Sequence, residues 1–176
     1  MTRKIIIASV ALLFFGVLAL NAIPYAKADD TTKQTIAANL DGFAFTNEGC
    51  CPDVSTSIQG ELVTNQDGTV VISKQTGNIM LNSTTYSLEF DPTSEPSKET
   101  VSNDCSSTTT YKQDGEITLT GPGGMLIKGS GEYSWGTWPS CSGEQNSYTN
   151  FSGEITDSAG QRTQFFTGNN SLPTIQ

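Results

Sequence analysis

The positions of the glycines constrain this chain more than any other feature. In Met125-Leu-Ile-Lys-Gly-Ser-Gly-Glu-Tyr-Ser-Trp135, every second residue is apolar or glycine: Met125, Ile127, Gly129, Gly131, Tyr133 and Trp135. After Leu126 the residues between them are Lys128, Ser130, Glu132 and Ser134. Successive side chains of an extended chain point to opposite faces, so this period of two describes a half-buried strand. A glycine on the apolar side weakens a strand unless the sheet must bend there. Gly-Glu-apolar recurs at Gly60-Glu61-Leu62, Gly115-Glu116-Ile117 and Gly153-Glu154-Ile155, with Gly131-Glu132-Tyr133 close to it. The irregular spacing excludes a solenoid. The pattern predicts strands that coil sharply, with side-chain-free positions on the concave wall, as at the corner of a barrel.

The rest of the chain repeats the design. Strands are expected over 36–46, 58–64, 69–73, 78–82, 84–90, 108–119, 125–135, 147–156 and 161–167. Turn signals separate them, with Asp67-Gly68, Gly121-Pro-Gly-Gly124 and Asp157-Ser-Ala-Gly160 the clearest. Residues 47–53 read as a turn carrying a cysteine pair, 91–104 as the longest loop and 136–145 as a second loop. No segment carries the i, i+3, i+4 periodicity of an amphipathic helix. The expected fold is all-β: a single antiparallel meander of about eight to ten strands in a closed or nearly closed barrel. A two-sheet sandwich is the alternative.

The first 28 residues have the layout of a secretory signal helix. Arg3 and Lys4 precede an apolar stretch from Ile5 to Leu20, Pro24 breaks it, and Ala26-Lys27-Ala28 fits a signal peptidase site. An uncleaved anchor spanning a membrane through residues 5–20 is the competing reading. Residues 29–35 and 169–176 read as tails, leaving 36–168 as one β domain. The protein is expected to be secreted or held at the outer face of the cell envelope.

Residues 1–28 carry three of the nine basic residues and none of the eighteen acidic ones, so the processed chain has a net charge of −12. Such a surface repels phosphate backbones, which argues against nucleic acid as a partner. Apolar residues are sparse, and a thin core often needs covalent support. Cys50, Cys51, Cys105 and Cys141 all follow the signal, where disulfides persist. Adjacent cysteines rarely bond each other, so Cys50 and Cys51 are expected to pair separately with Cys105 and Cys141. Without histidine or C-x-x-C spacing, a metal centre is not expected.

The absence of histidine also removes Ser-His-Asp and Cys-His catalysis, and no motif implies a cofactor. Glu132, Glu144 and Glu154 lie near the tryptophans, and a pair of carboxylates is what glycoside cleavage requires. Glu132 and Glu154, however, occupy the polar side of their strands. Tyr133, Trp135, Trp138 and Tyr148 form the candidate binding set, because aromatics at a strand end can stack on sugar rings or anchor a partner. In the competing reading Trp135 continues into the core and Trp138 packs under its loop. Asn82, Asn150 and Asn169 head N-x-S/T sequons that could carry glycan. The expected function is non-catalytic binding of carbohydrate, a small apolar molecule or a protein. A structural subunit of an extracellular assembly and a carboxylate glycoside hydrolase are the alternatives.

Overall fold

The computed structural model describes residues 32–47, 49–64, 70–102, 107–139 and 142–175. The expected signal helix, Cys105, Cys141 and the Asp67-Gly68 turn lie outside them. The described residues form eleven strands: β1 (Thr32–Thr46), β2 (Gly49–Thr64), β3 (Val70–Ile72), β4 (Gln75–Leu81), β5 (Thr84–Pro92), β6 (Ser97–Ser102), β7 (Ser107–Thr120), β8 (Leu126–Pro139), β9 (Gln145–Thr156), β10 (Arg162–Asn169) and β11 (Thr174–Ile175).

Eight of them close into an antiparallel ring, β1-β2-β4-β5-β7-β8-β9-β10 and back to β1. The closing ladder pairs Asp41 with Gly168 through to Thr46 with Thr163. The fold is therefore the closed barrel, not the sandwich. β3, β6 and β11 are short additions pairing with β2, β7 and β1.

The alternation read from the sequence becomes the two sides of this wall. Leu40, Ile58, Ile79, Phe90, Ile117, Leu119, Phe151 and Phe165 are fully buried inside. Lys, Glu, Ser and Thr dominate the outside. That distribution is the reverse of a membrane barrel, which is apolar where it meets lipid. No helix among the described residues is long and apolar enough to cross a membrane.

Gly60, Gly115, Gly131 and Gly153 all face inward. Gly115, Gly131 and Gly153 stand side by side in register across β7, β8 and β9. A Cβ on Gly131 would lie 2.6 Å from Ile117 Cδ1, and one on Gly153 would lie 2.5 Å from the same atom. A Cβ on Gly115 would meet the Phe90 ring at 2.6 Å. The glycine row makes room for Phe90 and Ile117, which fill the barrel interior.

The end of the barrel where Trp138 lies is closed by chain folded over it. Ile72 of β3 is buried, and the Gln113 side chain treats it as a strand partner. Gln113 Oε1 accepts from Ile72 N at 3.1 Å, while Nε2 donates to Ile72 O at 3.1 Å and Ser94 O at 3.2 Å. Thr149 Oγ1 donates to Ser171 O at 2.7 Å, and Leu172 packs against the core.

Several expected boundaries are corrected. Residues 32–35 are strand, not tail, pairing with Glu61–Thr64; all four are exposed, so they carry no apolar signal. The expected turn over 47–53 is shorter, because β2 begins at Gly49 and Cys50 pairs with Phe45. The expected loop over 91–104 contains β6, whose six residues are all exposed. β8 continues past Trp135 to Pro139, through what reads as loop. The expected tail after 168 returns as β11 against Ile36 and Ala37. Cys50 carries no free thiol.

Candidate functional site

The candidate aromatic residues divide by strand parity. Tyr133 and Trp135 share the inner face of β8 and do not form a surface site. Tyr133 is buried, and burial pushes its phenol well above the ordinary value of 10.0. Trp135 is also buried and stacks on Tyr111, with centroids 5.4 Å apart and planes 11° from parallel. For Trp135 the competing core reading holds, and Tyr133, expected in the binding set, is in the core as well. Trp138 is three residues from Trp135, and on a continuous strand that spacing places it on the opposite, outer face.

Tyr148 joins it there from β9. Tyr148 stands opposite Gly136, which stands opposite Thr110. Its ring crosses Gly136, where an added Cβ would lie 2.8 Å from the ring. Its hydroxyl donates to Thr110 Oγ1 at 2.7 Å. Trp138 flanks it with centroids 5.7 Å apart. Glycine at 136 therefore serves a close approach. It lets one tyrosine lie across a neighbouring strand and tie to the next, giving a fixed aromatic platform.

The platform forms one side of an open groove of about 600 Å³. Lys112, Glu132, Ser134 and Asn150 line its strand floor, and Gly168, Asn169 and Asn170 complete it. Sequence reasoning missed Lys112, Ser134 and Asn170. The available signal was parity, since Glu132, Ser134 and Trp138 are all even-numbered on β8.

The carboxylates are not gathered at this groove. Glu132 lines it, whereas Glu154 is held by Arg162 Nε at 2.9 Å and Gln164 Nε2 at 2.9 Å. The hydrogen bond from Arg162, followed by that from Gln164, holds the Glu154 carboxyl below its usual range. Glu154 therefore stays ionised and is poorly suited to donate a proton. Glu144 is exposed in the β8–β9 connection. Among the described residues, no three histidine, cysteine or acidic side chains converge as a metal site.

The sequon asparagines also separate. Asn82 is exposed in the β4–β5 turn with φ of 47°. Asn150 is exposed on the groove floor. Asn169 Nδ2 donates to Asn39 O at 2.8 Å and its Oδ1 accepts from Ser171 N at 3.2 Å, so a glycan there would break the first bond.

A second, more enclosed cleft of about 130 Å³ lies at the other end of the barrel, between Ala44, Leu81, Tyr86, Ile127 and Ile155. Comparison with family models, curated proteins and solved structures finds no match.

Proposed function

We propose that the protein is an exported, non-catalytic carbohydrate-binding barrel. The observation that carries this reading is the platform itself: Tyr148 laid across Gly136 and tied to Thr110, with Trp138 beside it in an open groove. A pyranose ring presents an apolar C–H face that stacks on such rings, and hydroxyls that amides and charged groups can bond. Asn150, Asn170, Lys112 and Glu132 supply those polar groups. The ion-paired, ionised Glu154 supports binding over cleavage. Export rests on the signal-like layout of residues 1–28.

The test is a thermal-shift and calorimetric screen of the processed protein against oligosaccharides. Trp138→Ala should weaken binding about threefold to tenfold, the scale of one lost aromatic contact. Asn150→Ala should weaken it less. Tyr148→Phe should keep most affinity, since it retains the ring. Full affinity in Trp138→Ala would remove the groove from the proposal. Release of reducing ends that is lost in Glu132→Gln would favour the hydrolase instead.

A further inference from the structure

We infer that the ligand is an extended, uncharged glycan chain running from the Trp138–Tyr148 platform along β9 to a second aromatic cluster. This rests on the carbohydrate reading above. The cluster is Phe43, Phe45 and Phe166, which are 42%, 43% and 44% exposed on the outer wall. Phe43 lies 5.4 Å from Phe45 and 5.7 Å from Phe166, centroid to centroid. Three mutually packed phenylalanines on a wall of polar side chains mark a contact surface.

The strand register connects the cluster to the groove. Tyr148, Asn150 and Ser152 are successive outer-facing positions of β9. Ser152 stands opposite Phe166, and Phe166 stands opposite Phe43. The four residue steps from Tyr148 to Ser152 span about 14 Å at strand rise, enough for a few linked pyranose rings. Asn150, midway, stands opposite Gly168 on β10. An added Cβ on Gly168 would lie 2.3 Å from Asn150 Oδ1, so the Asn150 amide lies over that bare position. The path is thus ring, amide, ring along one wall.

Charge along the path selects the class of glycan. Asp53 stands opposite Phe43, Asp41 opposite Gly168, and Glu132 opposite Ser152. Lys112 and the Glu154-bound Arg162 are the nearby cations. Carboxylates along the path repel uronate and sulfated polymers and leave neutral chains favoured.

Calorimetry with β-1,4-linked oligomers of glucose, mannose and N-acetylglucosamine, from disaccharide to hexasaccharide, tests the inference. Affinity should rise with length in at least one series. In Phe43→Ser/Phe166→Ser the hexasaccharide should lose about tenfold, as expected for two lost ring contacts, while the disaccharide is unaffected. Phe166→Tyr, which keeps the ring, should keep the gain with length. Near-ultraviolet circular dichroism checks that each variant is folded. Equal affinity for short and long chains, or an unchanged gain in the double variant, overturns the extended path and leaves the groove reading standing. Tighter binding of a polyuronate overturns the charge selection. A concentration-dependent dimer abolished by the double variant, without an effect on glycan binding, would assign the cluster to a second copy of the chain. No binding in any series overturns both readings.

Discussion

At Gly131 the fold leaves no space for a single methyl group. A Cβ there would meet Ile117 Cδ1 at 2.6 Å and the Ser152 carbonyl oxygen at 2.5 Å, and the second of these is backbone. Gly131→Ala should destabilise the barrel by about 1–3 kcal/mol, the usual cost of overpacking, measured by urea denaturation. A loss below a few tenths would mean that the glycine row is not what sets the curvature. Tyr133 gives a prediction in pH. Its folded phenol titrates above 10.0, so as pH rises through that value only the unfolded chain releases the proton. The stability it contributes is complete below 10.0 and is lost above it, at up to about 1.4 kcal/mol per pH unit. Tyr133→Phe should lack this alkaline slope. Equal slopes in the two proteins would refute the assignment. The inward glycines and Trp135 were legible because a period of two needs no knowledge of neighbouring strands. The Tyr148–Gly136–Thr110 crossing was not, because it depends on which residues of three strands stand opposite one another.

The elements that sequence reasoning missed share one property. β6, the start of β1 and β11 are exposed along their whole length, so their backbone ladders hold them without a buried apolar face. Gln113 is the converse case, a polar residue on an apolar face whose amide completes the edge of β3. Gln113→Leu would leave the buried Ile72 N–H and C=O without those partners and should cost about 2–4 kcal/mol. Accelerated amide exchange at Ile72 should accompany the loss, and an unperturbed Ile72 would show that β3 is held by other means.

For the whole molecule, closure is what makes a thin core sufficient. In the ring every strand has two neighbours, so the backbone edges that invite aggregation are paired. The closing ladder joins residues 41–46 to 163–168 across nearly the whole described chain, a non-local pairing whose loop-closure entropy the intervening hairpins reduce. Removing residues 162–175 would strip one side from both β1 and β9 and expose Phe151, which packs on Phe165 with centroids 5.4 Å apart. That truncation should abolish cooperative unfolding and yield oligomers on size exclusion. Removing only residues 174–175 should leave a folded monomer, since β11 pairs just Ile36 and Ala37. Charge acts at the same scale. A net charge of −9 makes the chain repel itself in the compact state more than in the unfolded one, so screening should favour folding. Raising sodium chloride from low to about physiological ionic strength, where the Debye length is about 8 Å, should raise the midpoint of thermal unfolding. A fall in the midpoint would mean that pairs such as Lys33–Glu61 and Arg162–Glu154 outweigh the collective repulsion. Those pairs are exposed, and exposed pairs contribute little each, so the collective term should win.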